Sequence, residues 1–374
     1  MQRAVSEVLD GCIRDLTAWS ARPTLRRGRS RRSQPTRAWR SVQRVPRNGL
    51  AAEPIPSMRL GDQVEGTTVV KLHDHFAGLL QHVVNINPYR LRQLEARAAA
   101  LSGYLREESG LTSVVRGFVR QGSWAHRTII KPLPGQEFDA DLLVKMNRQR
   151  SWSMDPRQYL LAVHEALDRS GRYRDRITLK TRCVRVSYAG QCHVDLVPYL
   201  HEYGWFDRHL IVNRKENRFE EVNPAGFSEW MLGRDRVAHG NLRTTLRLLK
   251  YMRDHKGTFD VPSVILTVLV GDRVSRFRAF FDRYCDLPTA FTSLVKTTDG
   301  WLQDRPDLPR LPDPSCPSVS FEHRLDQPTY AKFRDQFHGY AAKIADAYEA
   351  TRRTGSIELW QEIFGGGFAP ARDR

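Results

Sequence analysis

The sequence predicts an α+β protein in which a mixed-sheet core is followed by a helical half. Four runs of strand character, SVVRGFVRQ, EFDADLLVKM, ITLKTRCVRVSY and CHVDLVPYL, fall between residues 113 and 200. Apolar stripes at helical spacing occupy nearly everything after Asn223. Two further helical patterns precede the first strand. A chain of 374 residues, 40% of them hydrophobic, is long enough for two domains and a substantial core. It has no apolar run approaching the ~18 residues needed to cross a bilayer, so no membrane role is expected.

Taken in order, residues 1–57 read as an Arg/Ser/Pro-rich leader without apolar periodicity, expected to be disordered. Twelve arginines against Glu7, Asp10, Asp15 and Glu53 give it +8 of the chain's net +17. It lacks the apolar segment of a secretory signal, and Met58 stands as an alternative start. Deleting residues 1–57 is expected to leave soluble expression and turnover unchanged; loss of either would make the leader structural. The remaining charge suits a polyphosphate-binding protein and requires no nucleic-acid surface. Five cysteines without C-x-x-C spacing indicate neither a zinc site nor a disulfide framework. A reducing, cytoplasmic setting fits, with Cys183 and Cys192 expected as buried thiols rather than a pair facing across a hairpin.

Residues 58–222 are expected to form the core. Val70, Phe76, Leu79, Leu80, Val83 and Val84 suit one helix, and Leu91, Leu94, Ala98, Leu101 and Leu105 a second after Asn87-Pro88. SVVRGFVRQ then reads as a strand ending at Gly122-Ser123, with EFDADLLVKM its partner. Strand side chains alternate, so Asp139 and Asp141 share a face beside apolar residues, as does Glu137 at the strand's exposed beginning. After a helix near Tyr159 to Leu167, a hairpin turning at Ala189-Gly190-Gln191 places His193, Asp195 and Val197 opposite Cys192, Val194 and Leu196. Three acids thus lie in a β context.

Residues 223–374 are expected to be helical. Leu242, Leu246 and Leu249 form one stripe, and Tyr330, Phe333, Phe337, Tyr340, Ile344 and Tyr348 another, read as core. DRPDLPRLPDPSCPS connects the two helical blocks as an ordered loop.

Gly122-Ser123, then Asp139-x-Asp141, then Asp195 on a later strand is the motif order of the polymerase-β-like nucleotidyltransferases. Such transfer needs a divalent ion on the phosphates and a second at the attacking hydroxyl, hence three converging carboxylates. Glycine lets a triphosphate approach the backbone, and serine offers donors. With RQGSWAHRTIIKPLPGQEFDADLLV, NPAGFSEWM, LLKYMRDHKGTFDVPSVILTVLV and LWQEIFGGGF, the chain resembles, over about residues 68–368, the SMODS-type cGAS/DncV-like nucleotidyltransferases of bacterial anti-phage systems. The resemblance implies a nucleotidyltransferase core with an oligoadenylate-synthase-like helical half, two Mg²⁺ (or Mn²⁺) ions on Asp139, Asp141 and Asp195, and nucleoside triphosphate substrates. It implies a cyclic di- or trinucleotide product read by a separate effector protein. It also implies donor-triphosphate contacts from Gln121, Gly122, Ser123, Lys250 and Ser263. The bland readings are a solvated strand end for Gln121, a snorkelling lysine for Lys250 and a helix cap for Ser263. His126 and Arg127 are read as turn residues with some capacity to neutralise phosphate, and Trp230 as packing. Nucleotide addition to an RNA end or a protein, and a sensor without turnover, are the competing functions.

Overall fold

The computed structural model describes residues 69–203 and 207–370; the leader and the Met58 start lie outside the described residues. The first helix, α1 (His73–Leu79), runs into one wide turn over Leu80–Val84. The second, α2 (Pro88–Gly103), starts where the Asn87 side chain accepts the Tyr89 N–H at 2.8 Å and Pro88 sets the first turn. The sheet follows as β1 (Val115–Gln121), a four-residue helical turn α3 (Gly122–Ala125), β2 (Phe138–Met146), α4 (Gln158–Asp168), β3 (Ile177–Leu179), β4 (Val184–Tyr188), β5 (Cys192–Glu202), β6 (Arg208–Asn213) and β7 (Arg218–Glu221).

The strand order is β1-β2-β5-β4-β3, with β6 also on β5 and β7 on β6. Only β2 and β5 pair in parallel, which makes the sheet mixed. The eleven-residue β5 organises it, because its first half pairs with β4 and its second half with β6. The buried face carries Ala140, Leu142, Val144, Val194 and Leu196 against Leu94 and Leu101 of α2 and Val163 of α4. Its alternation leaves the intervening aspartates on the opposite face.

The helical half comprises α5 (Pro224–Val237), α6 (Asn241–Lys256), α7 (Ser263–Asp272), α8 (Arg276–Phe280), α9 (Leu287–Gln303), α10 (Gln327–Glu349) and α11 (Arg353–Phe364). Leu242, Leu246, Leu249, Tyr330, Phe333, Phe337 and Ile344 are buried in it, as their stripes predict. The expectation of a purely helical half needs one correction. The Pro-rich connection contains a small hairpin, β8 (Pro312–Asp313) with β9 (Cys316–Ser320). It is tied to the start of α5 by reciprocal bonds, Asn223 Nδ2 to the Ser315 carbonyl and Ser315 Oγ to the Asn223 carbonyl, both 3.0 Å.

The two leading helices part company. Leu94, Leu101 and Leu105 join the sheet core, whereas Phe76 of α1 packs edge-on to Trp360, Phe364 and Phe368 in the helical half. The C-terminal glycine run permits this closure. Gly365 turns at φ 80°, and a Cβ there would lie 2.6 Å from the His255 ring. Among the described residues, no helix is long and apolar enough to cross a membrane.

Candidate active site

The three aspartates meet because of register. Asp141 is paired with Gln121 of β1 on one side and with Asp195 of β5 on the other, and Asp139 is paired with His193. Paired residues on adjacent strands project to the same face, so the acids form one cluster. Asp195 is 8% exposed and sits opposite Arg185 of β4. The Arg185 guanidinium donates from Nε to Asp195 Oδ1 and from Nη2 to Oδ2, both at 2.8 Å. Its Nη2 also lies 3.1 Å from Asp139 Oδ1.

Among the described residues, Asp141 has no such partner. Burial, then the Asp195 charge, then the Asp139 charge push its carboxyl up to about 7, against the opposing pull of Arg185 and Arg324. Arg324 follows the β8–β9 hairpin, so the helical half contributes positive charge to the acids. Glu137 and His193, both on this face, are engaged with each other at 2.9 Å. The Cys183 thiol beside Asp195 is pushed up to about 12, mainly by burial. It does not face Cys192, which pairs with Tyr188 at the far end of the hairpin.

Gly122 adopts φ 61°, and a Cβ there would stand 2.3 Å from Asp141 Oδ2. Its absent side chain therefore makes room for a protein carboxylate, a role additional to the backbone approach expected from sequence. Next to it, Lys250 reaches across from α6. Its Nζ donates to Ser123 Oγ at 2.8 Å and to the carbonyl and hydroxyl of Thr128, each at 3.1 Å. The side chain is buried rather than snorkelling, and burial pushes its pKa down to about 7. Lys250 thus joins the two halves at the Gly-Ser loop. Lys250→Met, which keeps most of the volume, is expected to raise the KM for the donor triphosphate by about tenfold or more. It should also lower the melting temperature, because two hydroxyls lose a partner. An unchanged KM would reduce Lys250 to packing.

The other expectations divide. Gln121 ends β1 beside Asp141, on the acid face. Ser263 is not brought to the Gly-Ser loop by any hydrogen bond among the described residues. Its Oγ accepts from Arg253 at 3.2 Å, and it does not cap its helix, since Pro262 holds that position. His126 is stacked on Phe227 and lies 3.3 Å from Ser228 Oγ. Burial, Lys250 and Arg243 push its pKa down to about 4. Without a ligand this favours the neutral ring, so His126 brings little positive charge to the loop there. Trp230 packs against Gly271, where a Cβ would lie 2.4 Å from its ring.

Oxygen-only donors, one of them a carboxylate with no hydrogen-bond partner of its own, fit a hard divalent cation. Among the described residues, however, no three His, Cys, Asp or Glu side chains are arranged to hold a metal ion as they stand. Asp139 and Asp195 are turned to Arg185 instead. Sequence reasoning missed Arg185, Arg324 and Thr128. A signal existed for Arg185 alone: a turn centred on Gly190 pairs residue 185 with residue 195.

The chain is similar to several known proteins. Residues 70–234 match the model of the Second Messenger Oligonucleotide or Dinucleotide Synthetase (SMODS) domain. A c-di-GMP synthase of Roseivirga ehrenbergii is 28% identical over 169 residues, 43% of either chain. A cyclic AMP-AMP-AMP synthase of Acinetobacter sp. is 23% identical over 254 residues, covering 66% of this chain and 71% of the relative. The chain thus spans under half the length of the first of these relatives. The fold matches that of the Bradyrhizobium diazoefficiens CD-NTase CdnG in complex with GTP, with TM-score 0.63 and 20% identity over 79% of this chain and 95% of that one. It also matches Vibrio cholerae DncV cyclic AMP-GMP synthase in complex with nonhydrolyzable GTP, with TM-score 0.64 and 13% identity over 82% and 98%.

Proposed function

We propose that this chain is a SMODS-type nucleotidyltransferase that joins nucleoside triphosphates into a cyclic oligonucleotide with release of pyrophosphate. One observation carries the reading: the acid cluster of β2 and β5 lies directly against the Gly122-Ser123 loop that Lys250 holds from the helical half. In this reading Asp139 and Asp141 hold two Mg²⁺ or Mn²⁺ ions, and Asp195 completes the site nearest the acceptor hydroxyl. Bound there, the ions supply charge for the donor phosphates and acidify the acceptor hydroxyl.

The chain's own groups do the rest. Ser123 and Lys250 exchange their mutual hydrogen bond for phosphate oxygens, and Lys250 becomes fully cationic as an anion replaces its neutral partners. Gly122, lacking a Cβ, leaves room for the Asp141 carboxylate. The acceptor hydroxyl attacks the donor α-phosphorus, pyrophosphate leaves, and a second transfer within the linear product closes the ring. The two curated relatives are named for a dinucleotide and a trinucleotide product, so the proposal stands at the level of a cyclic oligonucleotide acting on a separate effector protein.

The test incubates purified protein with mixed labelled triphosphates and Mg²⁺ or Mn²⁺, followed by phosphatase. A small phosphatase-resistant product, sized by mass spectrometry, is expected. Label in a macromolecule would indicate transfer to RNA or protein instead, and no label incorporation would indicate a nucleotide sensor.

A further inference from the structure

Arg185 has no part in the reaction just described, yet it is the residue on which two of the three acids converge. Its contacts are unequal. The fork onto Asp195 uses both carboxylate oxygens at 2.8 Å on a side chain that is 12% exposed, a bidentate pairing of the stronger kind. The contact to Asp139 is single, 3.1 Å long, and made to a side chain that is 58% exposed. Asp141, lying between Gln121 and Asp195 in the sheet, receives no hydrogen bond from Arg185. The guanidinium therefore supplies positive charge at one edge of the cluster, firmly held on one side and loosely on the other.

We infer that Arg185 is a resident cation of the acid cluster, a positioning residue that keeps its fork on Asp195 and yields Asp139 when a divalent ion binds. It orders the carboxylates in the metal-free protein and lowers their affinity for metal. Three carboxylates around one arginine carry a formal −2 rather than −3, and a cation entering the cluster meets both weaker attraction and a like charge. The inference rests on the reading of Asp139 and Asp141 as metal-holding residues.

Free Mn²⁺, counted by electron paramagnetic resonance in titrations of the full chain, reads the affinity without any turnover. Arg185→Gln is expected to bind Mn²⁺ about tenfold more tightly than the wild type and to melt at lower temperature without metal. Arg185→Lys keeps the charge and loses the fork. Its Mn²⁺ affinity should stay near wild type while kcat falls and the KM for triphosphate holds. Equal or weaker Mn²⁺ binding by Arg185→Gln would overturn the inference. If that variant does not fold, the wild type decides by nitrogen-15 resonances of its arginine side chains, with the Arg185 signal identified by its loss in Arg185→Lys. That signal should shift on titration with Mg²⁺, and a signal unmoved at saturation would equally overturn the inference. A wild type that binds Mn²⁺ while Arg185→Gln binds no tighter sinks the Arg185 role alone. A wild type that binds no Mn²⁺ sinks the metal reading beneath it.

Discussion

Asp141→Asn is expected to abolish product formation, by at least about a thousandfold, while making the metal-free protein more stable. The amide keeps the shape and removes a carboxylate that has no hydrogen-bond partner among the described residues. The sign of the stability change follows from its raised pKa. An Asp carboxyl near 4 in the unfolded chain and about 7 in the folded one is more readily protonated when folded. Its contribution is therefore favourable below pH 4 and is lost as pH rises through 7. Asp141→Asn should match the wild type near pH 4 and exceed it above pH 8 by on the order of 2 kcal/mol, a figure discounted because the side chain is only partly buried. Asp139→Asn should differ, since it gives up the charge of its ion pair with Arg185 and gains no such stability. Melting curves in EDTA across this pH range, paired with product assays in Mg²⁺, check both. An Asp141→Asn protein that retained turnover, or that melted lower at pH 8, would mean that Asp141 is a structural acid.

Gly122→Ala is expected to lower turnover by about a hundredfold in a protein that still folds, a loss typical of a reacting group misplaced by about 1 Å. The added methyl would stand 2.3 Å from Asp141 Oδ2 at φ 61°, so either the carboxylate or the loop moves. The left-handed backbone alone adds roughly 1 kcal/mol of strain. Gly135→Ala separates the two effects, because Gly135 has φ 78° with nothing within 4 Å of its Cβ position. Gly135→Ala should share the strain and keep the activity. Near-normal turnover in Gly122→Ala would show that the Asp141 carboxylate tolerates displacement.

Much of the site was legible in the chain. The alternation of Phe138-Asp139-Ala140-Asp141-Leu142 puts both acids on the polar face whatever the strand pairs with, because the period of two is a property of the strand itself. The same holds for Asp195 between Val194 and Leu196. Hairpin arithmetic extends one strand further, and pairing residues about Gly190 would have found Arg185 opposite Asp195. His126 was harder to read, since its neutrality depends on Phe227, Lys250 and Arg243, all more than a hundred residues away. Ser263 follows Lys250 by thirteen residues, and its hydroxyl is engaged by Arg253.

The sequence by itself determined which side chains share a face, where the long helices lie, and which strands carry the three acids and end at the Gly-Ser loop, while β6, β7 and the β8–β9 hairpin escaped it. Those properties depend on φ/ψ periodicity and on side-chain polarity over a few residues. The tertiary structure alone decided that Gly122 clears space for Asp141, that Lys250 is buried against Ser123 and Thr128, and that α1 closes on the C-terminal aromatics. Each of these is a contact between segments 19 to nearly 300 residues apart. Such contacts are chosen by how whole faces pack, and no local pattern in either segment specifies its partner.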